Sequence, residues 1–307
     1  MIICCGEALI DMLPRQLPEG DDVYLPVTGG AVFNTAITLG RLGAKAGFFS
    51  GLSSDMFGEM LRQSLEASKV DHSLCITSPH PTTLAFVKLV EGNAQYQFYD
   101  EASAGRMITA GDLPSMPNNV SALHFGAISL IPEPCGSAYE ALALREAANR
   151  VISLDPNIRR SFIENEDAHR ARLARMIAVA DIVKVSDEDL DWLADGASAE
   201  ETVSNWLSGE TSLVAITRGS DGAHVHTSNG RIDVPARKVE VIDTVGAGDS
   251  FNGGLLHGLN KSGLLEKSAL RKATPEALRS AIELAVQVAA ITVSRAGANP
   301  PWQSEIA

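Results

Sequence analysis

The chain has 307 residues, 45% of them from AVILMFWYC and 21% from DEKR, enough apolar surface for a sizeable core and a composition that excludes global disorder. Its 25 Lys and Arg against 38 Asp and Glu leave a net charge of −13, which excludes an extended nucleic-acid backbone as partner, since that needs a basic face. The length suggests one large domain or two small ones. No run approaches the ~18–20 apolar residues of a membrane-spanning helix. Cys4, Cys5, Cys75 and Cys135 show no C-x-x-C spacing, so reduced, buried thiols are expected rather than a disulfide framework or a zinc site. Residues 1–7, Met-Ile-Ile-Cys-Cys-Gly-Glu, lack the basic region and long apolar run of a signal peptide, and a cytoplasmic protein is expected.

In chain order, short apolar runs at 2–5, 46–50, 121–126, 151–155, 181–185 and 212–217 read as buried strands. Helical candidates lie between them at 32–42, 56–68, 135–149, 168–179, 187–194 and 199–208. This alternation predicts an α/β protein, a mainly parallel sheet covered on both faces. The last third adds a hairpin-like stretch at 223–234, a strand at 238–242, and helices near 248–260 and 275–294. Two excursions, 9–28 and 82–100, break the alternation with strands at 23–27, 83–90 and 95–99. The second reads as a hairpin turning at Gly92–Asn93. Both are expected to pair into a small sheet standing off the main domain, as a lid over a cleft or as an oligomer interface.

The most informative segment is Asp243-Thr244-Val245-Gly246-Ala247-Gly248-Asp249-Ser250. Small residues precede a helix that starts near Gly248, so free N–H groups and the positive end of the helix dipole make an anion site. The spacing is neither that of a Walker loop nor that of a dinucleotide fingerprint. Asp249 sits among these donors, which are expected to favour its charged form. Beside a phosphoryl group it could take a proton from an attacking hydroxyl; a plain helix cap is the alternative.

Residues 28–34, Thr-Gly-Gly-Ala-Val-Phe-Asn, open a second helix. Gly29 and Gly30 allow close approach of backbone to a ligand, and Asn34 offers both a donor and an acceptor. Asp11, a few residues after the first strand, could join them on a polyol, or be a solvated loop carboxylate. Thr217, Gly219 and Gly222 follow the strand at 212–216 and suit a phosphate or ribose neighbour, or only a hairpin turn. Lys184, at the end of another strand, is a phosphate contact or a snorkelling surface lysine. In open α/β sheets, ligands lie beyond the carboxyl ends of the strands.

Together these residues resemble the ribokinase-like (PfkB) family of sugar kinases over essentially the whole chain. Gly-Gly-Ala-Val-Phe-Asn-Thr-Ala (29–36) looks like its amino-terminal signature, and residues 243–254 are similar to its carboxyl-terminal one. The resemblance implies a single Rossmann-like three-layer αβα domain over 1–307, with a small β-sheet lid from 9–28 and 82–100. It also implies ATP-dependent phosphorylation of a sugar hydroxymethyl group, with Asp249 as base and Gly246, Ala247 and Gly248 as the anion hole. Asp11, Gly29, Gly30 and Asn34 would hold the sugar, and Lys184, Thr217, Gly219 and Gly222 would border ATP.

Within the family the likeness is to bacterial fructokinases, through residues 98–107 (Phe-Tyr-Asp-Glu-Ala-Ser-Ala-Gly-Arg-Met), 155–159 (Asp-Pro-Asn-Ile-Arg) and 183–190. It adds Tyr99 as a sugar contact and Arg159 as a contact to substrate or phosphate, Arg159 being otherwise a surface ion-pair partner. Asp100 stands where kinases of ketodeoxygluconate tend to carry an arginine, which favours a neutral sugar. The family's Asn-x-x-Glu motif, which organises Mg²⁺ through water, appears as Ser186-Asp187-Glu188-Asp189 and assigns that role to Asp189. Asp243, Val245 and Gly297 match part of a potassium-binding loop. The expected partners are a neutral sugar and ATP, with neither nucleic acid nor membrane, and the lid strands favour a homodimer. Fructose is the expected acceptor. Ribose, a nucleoside, ketodeoxygluconate and a catalytically silent sugar sensor are the alternatives.

Overall fold

The structure, a computed structural model, describes residues 1–90 and 93–306. In chain order the elements are β1 (Ile2–Cys5), β2 (Leu9–Gln16), β3 (Asp22–Gly29), α1 (Ala31–Arg41), β4 (Ala46–Phe49), β5 (Gly51–Ser53), α2 (Met56–Ala67) and β6 (Ile76–Ser78). There follow β7 (Thr83–Val90), β8 (Asn93–Tyr99), β9 (Ala122–Gly126), α3 (Cys135–Glu146), β10 (Val151–Asp155), α4 (Glu166–Ile177), β11 (Ile182–Ser186), α5 (Asp187–Ala194) and α6 (Ala199–Leu207). The chain closes with β12 (Leu213–Thr217), β13 (Ala223–Thr227), β14 (Gly230–Val234), α7 (Ala247–Lys261), α8 (Lys267–Lys272) and α9 (Pro275–Val293). Many helix starts are written locally. Asp55, Asn165, Ser186, Ser198 and Thr274 each accept a hydrogen bond from the backbone N–H three residues on, as N-caps do.

The main sheet runs β14-β13-β12-β11-β10-β9-β1-β4. Its strands from β12 to β4 are parallel, and β13 and β14 add an antiparallel edge. Strand order reverses at β1, which pairs with both β4 and β9. At such a switch point the connections leave in opposite directions and open a crevice at the carboxyl ends of the strands. That crevice carries the candidate site.

Two apolar clusters cover the two faces. One joins Cys4 and Phe48 of the sheet to α1, α7 and α9 through Phe33, Ile37, Phe251, Leu255, Ile282 and Ala285. The other joins Ile3 and Cys5 to α3, α4, α5 and α6 through Tyr139, Leu142, Leu173, Leu190 and Val203. Each fully buried large apolar side chain contributes about 1.5–3 kcal/mol. Cys4 and Cys5 face opposite layers, as alternation along a strand requires, and all four cysteines are free thiols. Among the described residues no helix is long and apolar enough to cross a membrane.

A separate four-stranded sheet has the order β3-β2-β7-β8. Pairing is antiparallel for β2 with β3, parallel for β2 with β7 and antiparallel for β7 with β8. The expected turn at Gly92–Asn93 lies in part outside the described residues.

The expected strand at 238–242 does not form. Instead Val239, Val241 and Ile242 are exposed, and the N–H groups of Ile242 and Asp243 are tethered to the Val293 carbonyl. An apolar run makes a strand only where a neighbour supplies a ladder, and among the described residues no strand pairs with these. The short α8 and the β5–β6 pair were not legible in the periodicity, being too brief to show one.

Candidate active site

The segment 243–254 forms a turn and the first half of α7. Gly246 takes the left-handed φ of 77°, and a Cβ there would lie 2.6 Å from the Ala298 Cβ, so glycine is required twice over. The first intrahelical bond runs from the Ser250 N–H to the Gly246 carbonyl at 2.9 Å. The N–H groups of Gly248 and Asp249 are thus left without a helical acceptor, free for an anion. Two neighbours clamp the helix. A Cβ on Gly253 would lie 2.5 Å from Thr38 of α1, and one on Gly258 would lie 2.6 Å from Ala281 of α9.

Asp249 is buried at 8% exposure. Its Oδ2 accepts a hydrogen bond from the Asn34 amide at 2.9 Å, and its carbonyl accepts one from Thr35 Oγ1 at 3.1 Å. Burial pushes its carboxyl up to about 6. The Asn34 hydrogen bond opposes that rise, nearby Asp155 adds to it, and Lys184 and Arg159 lower it. The expectation that surrounding donors would favour the charged form is therefore corrected: desolvation outweighs the single amide donor. A base tuned toward neutrality while still mostly ionised at pH 7 is suited to proton abstraction.

Lys184 is not a surface lysine. It is 4% exposed on β11, and its Nζ donates to Asp155 Oδ2 at 3.0 Å. The same oxygen accepts from Asn252 at 2.7 Å. A Cβ on Gly248 would lie 2.8 Å from Lys184 Nζ, so the ammonium group stands against the N-terminus of α7. Positive charge and free N–H groups converge there on one point. Asp155 and Asn252 had no assigned role in the sequence reading. The signal for Asn252 was its position one turn after Asp249; Asp155 ends a buried strand beside the crevice.

Gly30 opens α1 with φ 109°. A Cβ on Gly29 would overlap the Asp11 carboxylate. Asp11 is thus a half-buried strand residue on β2, not a loop carboxylate, and burial raises its carboxyl to about 6. In the register of the four-stranded sheet, Asp11 pairs with Val27 and Ala85, and Ala85 with Phe98. These four therefore share a face. Phe98 meets Phe162, which follows β10, at 4.3 Å between ring centres, so this face is turned toward the end of the main sheet. Tyr99 points the other way, where it packs on Phe86 at 5.5 Å and is 55% exposed. The structure does not bring it to Asp11.

Asp100 accepts hydrogen bonds from Thr83 at 2.6 Å and Ser103 at 2.7 Å, with Arg106 at 3.8 Å. Its charge is thus engaged in tying β7 to β8, which weakens the argument that it repels an acidic sugar. Arg159 is exposed beyond β10 and is paired with no carboxylate among the described residues. Its charge reaches Asp249. Thr217, Gly219 and Gly222 form the turn between β12 and β13, closed by the Arg218 N–H to the Gly222 carbonyl at 2.8 Å. A Cβ on Gly222 would overlap the Val234 carbonyl.

Asp189 accepts the Ile158 N–H at 3.1 Å. Burial, with Asp155 nearby, raises its carboxyl. Asp243 draws Val245 and Gly297 together by accepting both N–H groups, at 3.0 and 2.8 Å. Among the described residues no three His, Cys, Asp or Glu side chains are grouped to hold a metal ion. The donor set therefore fits an ion carried chiefly by nucleotide phosphates, with a carboxylate nearby.

The model of the pfkB family of carbohydrate kinases matches residues 1–305. A fructokinase of Rhizobium leguminosarum bv. trifolii is 54% identical over 280 residues, 91% of this chain and 86% of that protein. The crystal structure of fructokinase from Xylella fastidiosa with bound ATP superposes with a TM-score of 0.90 at 31% identity, covering 97% of this chain and 93% of that one. Fructokinase from Vibrio cholerae O395, in a form with fructose, ADP and calcium ion bound, superposes with a TM-score of 0.82 at 29% identity, covering 97% of this chain and 94% of that one.

Proposed function

The chain belongs to the pfkB family of carbohydrate kinases, and we propose that within it the protein is a fructokinase that uses Asp249 as its catalytic base. The carrying observation is the buried Asp249 carboxylate, held by Asn34 at the N-terminus of α7, with Lys184 beside Gly248. The 54% identity to a bacterial fructokinase supports fructose as acceptor.

In this reading the sugar lies between the main sheet and the four-stranded sheet, which together form one kinase unit with the smaller sheet as lid. Asp11, Gly29, Gly30 and Asn34 line its place, and Arg159 reaches in from the segment after β10. ATP lies along Lys184, Thr217, Gly219 and Gly222. The primary hydroxyl oxygen attacks the γ-phosphorus as its proton passes to Asp249, and the bond to the β–γ bridging oxygen breaks to release ADP. Gly246, Ala247 and Gly248 surround the transferring group, where the free N–H groups and Lys184 offset developing negative charge. Covering the crevice excludes water and so suppresses ATP hydrolysis.

Mg²⁺ is the proposed divalent ion, supplying charge neutralisation on the phosphates, with Asp189 placed to hold one of its waters. Asp243, Val245 and Gly297 are the proposed K⁺ loop. The exposed Tyr24 and Tyr99 on the outer face of the lid sheet, beside its unpaired edge strands β3 and β8, support a homodimer formed with a second copy. The free thiols suit a reducing, cytoplasmic setting.

The test is ATP turnover with Mg²⁺ against fructose, ribose, ketodeoxygluconate, adenosine and no acceptor, with and without K⁺. Fructose-dependent ADP release is the expected outcome. Turnover with another acceptor alone would replace the substrate and keep the chemistry, whereas silence with all of them despite ATP binding would replace the enzyme by a sensor.

A further inference from the structure

We propose that Glu7 is a positioning residue for phosphoryl transfer: from the end of β1 its buried carboxylate caps α1 and thereby sets Asn34 against Asp249. The inference rests on the reading of Asp249 as base.

α1 begins without the usual means of satisfying its first N–H groups. Its N-cap is Gly30, it has no side-chain cap, and its first turn holds no acidic residue. Helix starts otherwise use a local Ser, Thr, Asp or Asn, but a φ of 109° at Gly30 disfavours any residue with a side chain there. Glu7 supplies the cap from another element. Its Oε1 accepts the N–H of Ala31 at 2.8 Å and that of Val32 at 3.3 Å, and its Oε2 accepts the Ser129 N–H at 3.4 Å. One carboxylate thus ties together the end of β1, the start of α1 and the segment after β9, at the point where the strand order reverses.

Packing holds this junction closed. A Cβ on Gly6 would lie 2.6 Å from Val32 Cγ2, and one on Gly30 would lie 2.9 Å from the Glu7 carbonyl. The first turn of α1 therefore cannot slide relative to Glu7 without a clash. Within that turn the Asn34 N–H bonds the Gly30 carbonyl at 2.8 Å while its amide holds Asp249. A shift of the helix start is thus passed directly to the base. Misplacement on the order of 1 Å costs about 10²-fold in rate.

The titration of Glu7 is coupled to the charge of the base. Facing Glu7 are Asp249 of α7 and, from α3, Cys135 and Tyr139, whose acidity burial suppresses. Facing Asp249 are Asn34, Asp155, Lys184 and Arg159. Burial raises the Glu7 carboxyl to about 7, and the Asp249 charge adds to the rise. Asp249 takes up its own proton near 6, where Glu7 is already largely protonated, so the acid limb set by Asp249 stays in place when Glu7 is made a neutral amide. A purely architectural role would lower Tm and raise the KM for ATP, whereas a positioning role lowers kcat at an unchanged ATP KM.

The experiment is the pH dependence of kcat for Glu7→Gln, which keeps the shape and removes the charge, beside Glu7→Asp, which keeps the charge and shortens the reach. The expected result for Glu7→Gln is a loss of about tenfold or more in kcat, a KM for ATP within about twofold of the parent, and an acid limb that stays in place. Glu7→Asp is expected to lose kcat with its acid limb in place. The pair Glu7→Gln with Asn34→Ala should be no slower than Asn34→Ala alone, because both act through one contact. A kcat for Glu7→Gln within about twofold of the parent overturns the proposal. So does a rise in the ATP KM accompanied by a lower Tm. Asp249→Asn, measured alongside, separates the two readings: if it stays active the base assignment fails, and if it is dead while Glu7→Gln is normal only the positioning role fails.

Discussion

The N-terminus of α7 and the four-stranded sheet are built on opposite principles. The first is clamped: Gly253 lies against Thr38, Gly254 and Gly258 lie against Ala285 and Ala281, and Asp249 is 8% exposed. The second is an open sheet whose outer face shows Tyr24 at 48% and Tyr99 at 55% exposure, reaching the segment after β10 through contacts such as Phe98 on Phe162. Close packing without voids holds side chains to one arrangement, which the proposed proton acceptor and anion site need. A covering element, the role proposed for this sheet, must open and close, so it is drawn from the less buried part of the molecule. The contrast predicts that changes at α7 act on the chemical step and changes on the sheet act on substrate capture.

The largest effect is expected from Asp249→Asn. The amide keeps the shape and loses the proton acceptor, so kcat should fall by about 10³-fold, roughly 4 kcal/mol in barrier, with ATP binding intact by calorimetry. Retention of a tenth of the parent kcat would remove Asp249 from the role of base.

Gly248→Ala should come next. The new methyl would sit 2.8 Å from Lys184 Nζ and displace the ammonium from the helix terminus, costing about 10²-fold in kcat. An undiminished rate would mean that Lys184 does not act at that point.

On the sheet, Asp11→Ala should raise the KM for the sugar by about tenfold or more, the size of one charged hydrogen bond, and leave kcat and the ATP KM nearly unchanged. If instead kcat falls while the sugar KM holds, the division between the two regions breaks down, since Asp11 would then act on the reaction itself.

How much of this was legible depended on the distance over which each feature is encoded. The anion site was readable because glycines, a helix start and Asp249 lie within a few consecutive residues, and so was the parallel sheet, from alternating apolar runs. The strand expected at 238–242 failed because its apolar pattern was right and its partner was missing. The raised carboxyl of Asp249 was missed because it comes from burial beneath α1, which no stretch of α7 records.

The sequence by itself determined the class of protein, the anion-binding turn and the residue types around it, because these follow from local backbone preference and periodicity. Only the tertiary structure decided which groups meet. Glu7 reaches Ala31 and Ser129 across separations of 24 and 122 residues, and Asp155 holds Lys184 and Asn252 across 29 and 97. Neighbouring strand residues must point to opposite faces, so Phe98 and Tyr99 were bound to differ. Which of them faced the end of the main sheet was settled by the register of β8 on β7 and by the placement of Phe162, because alternation sets relative direction and carries no information about where that sheet lies.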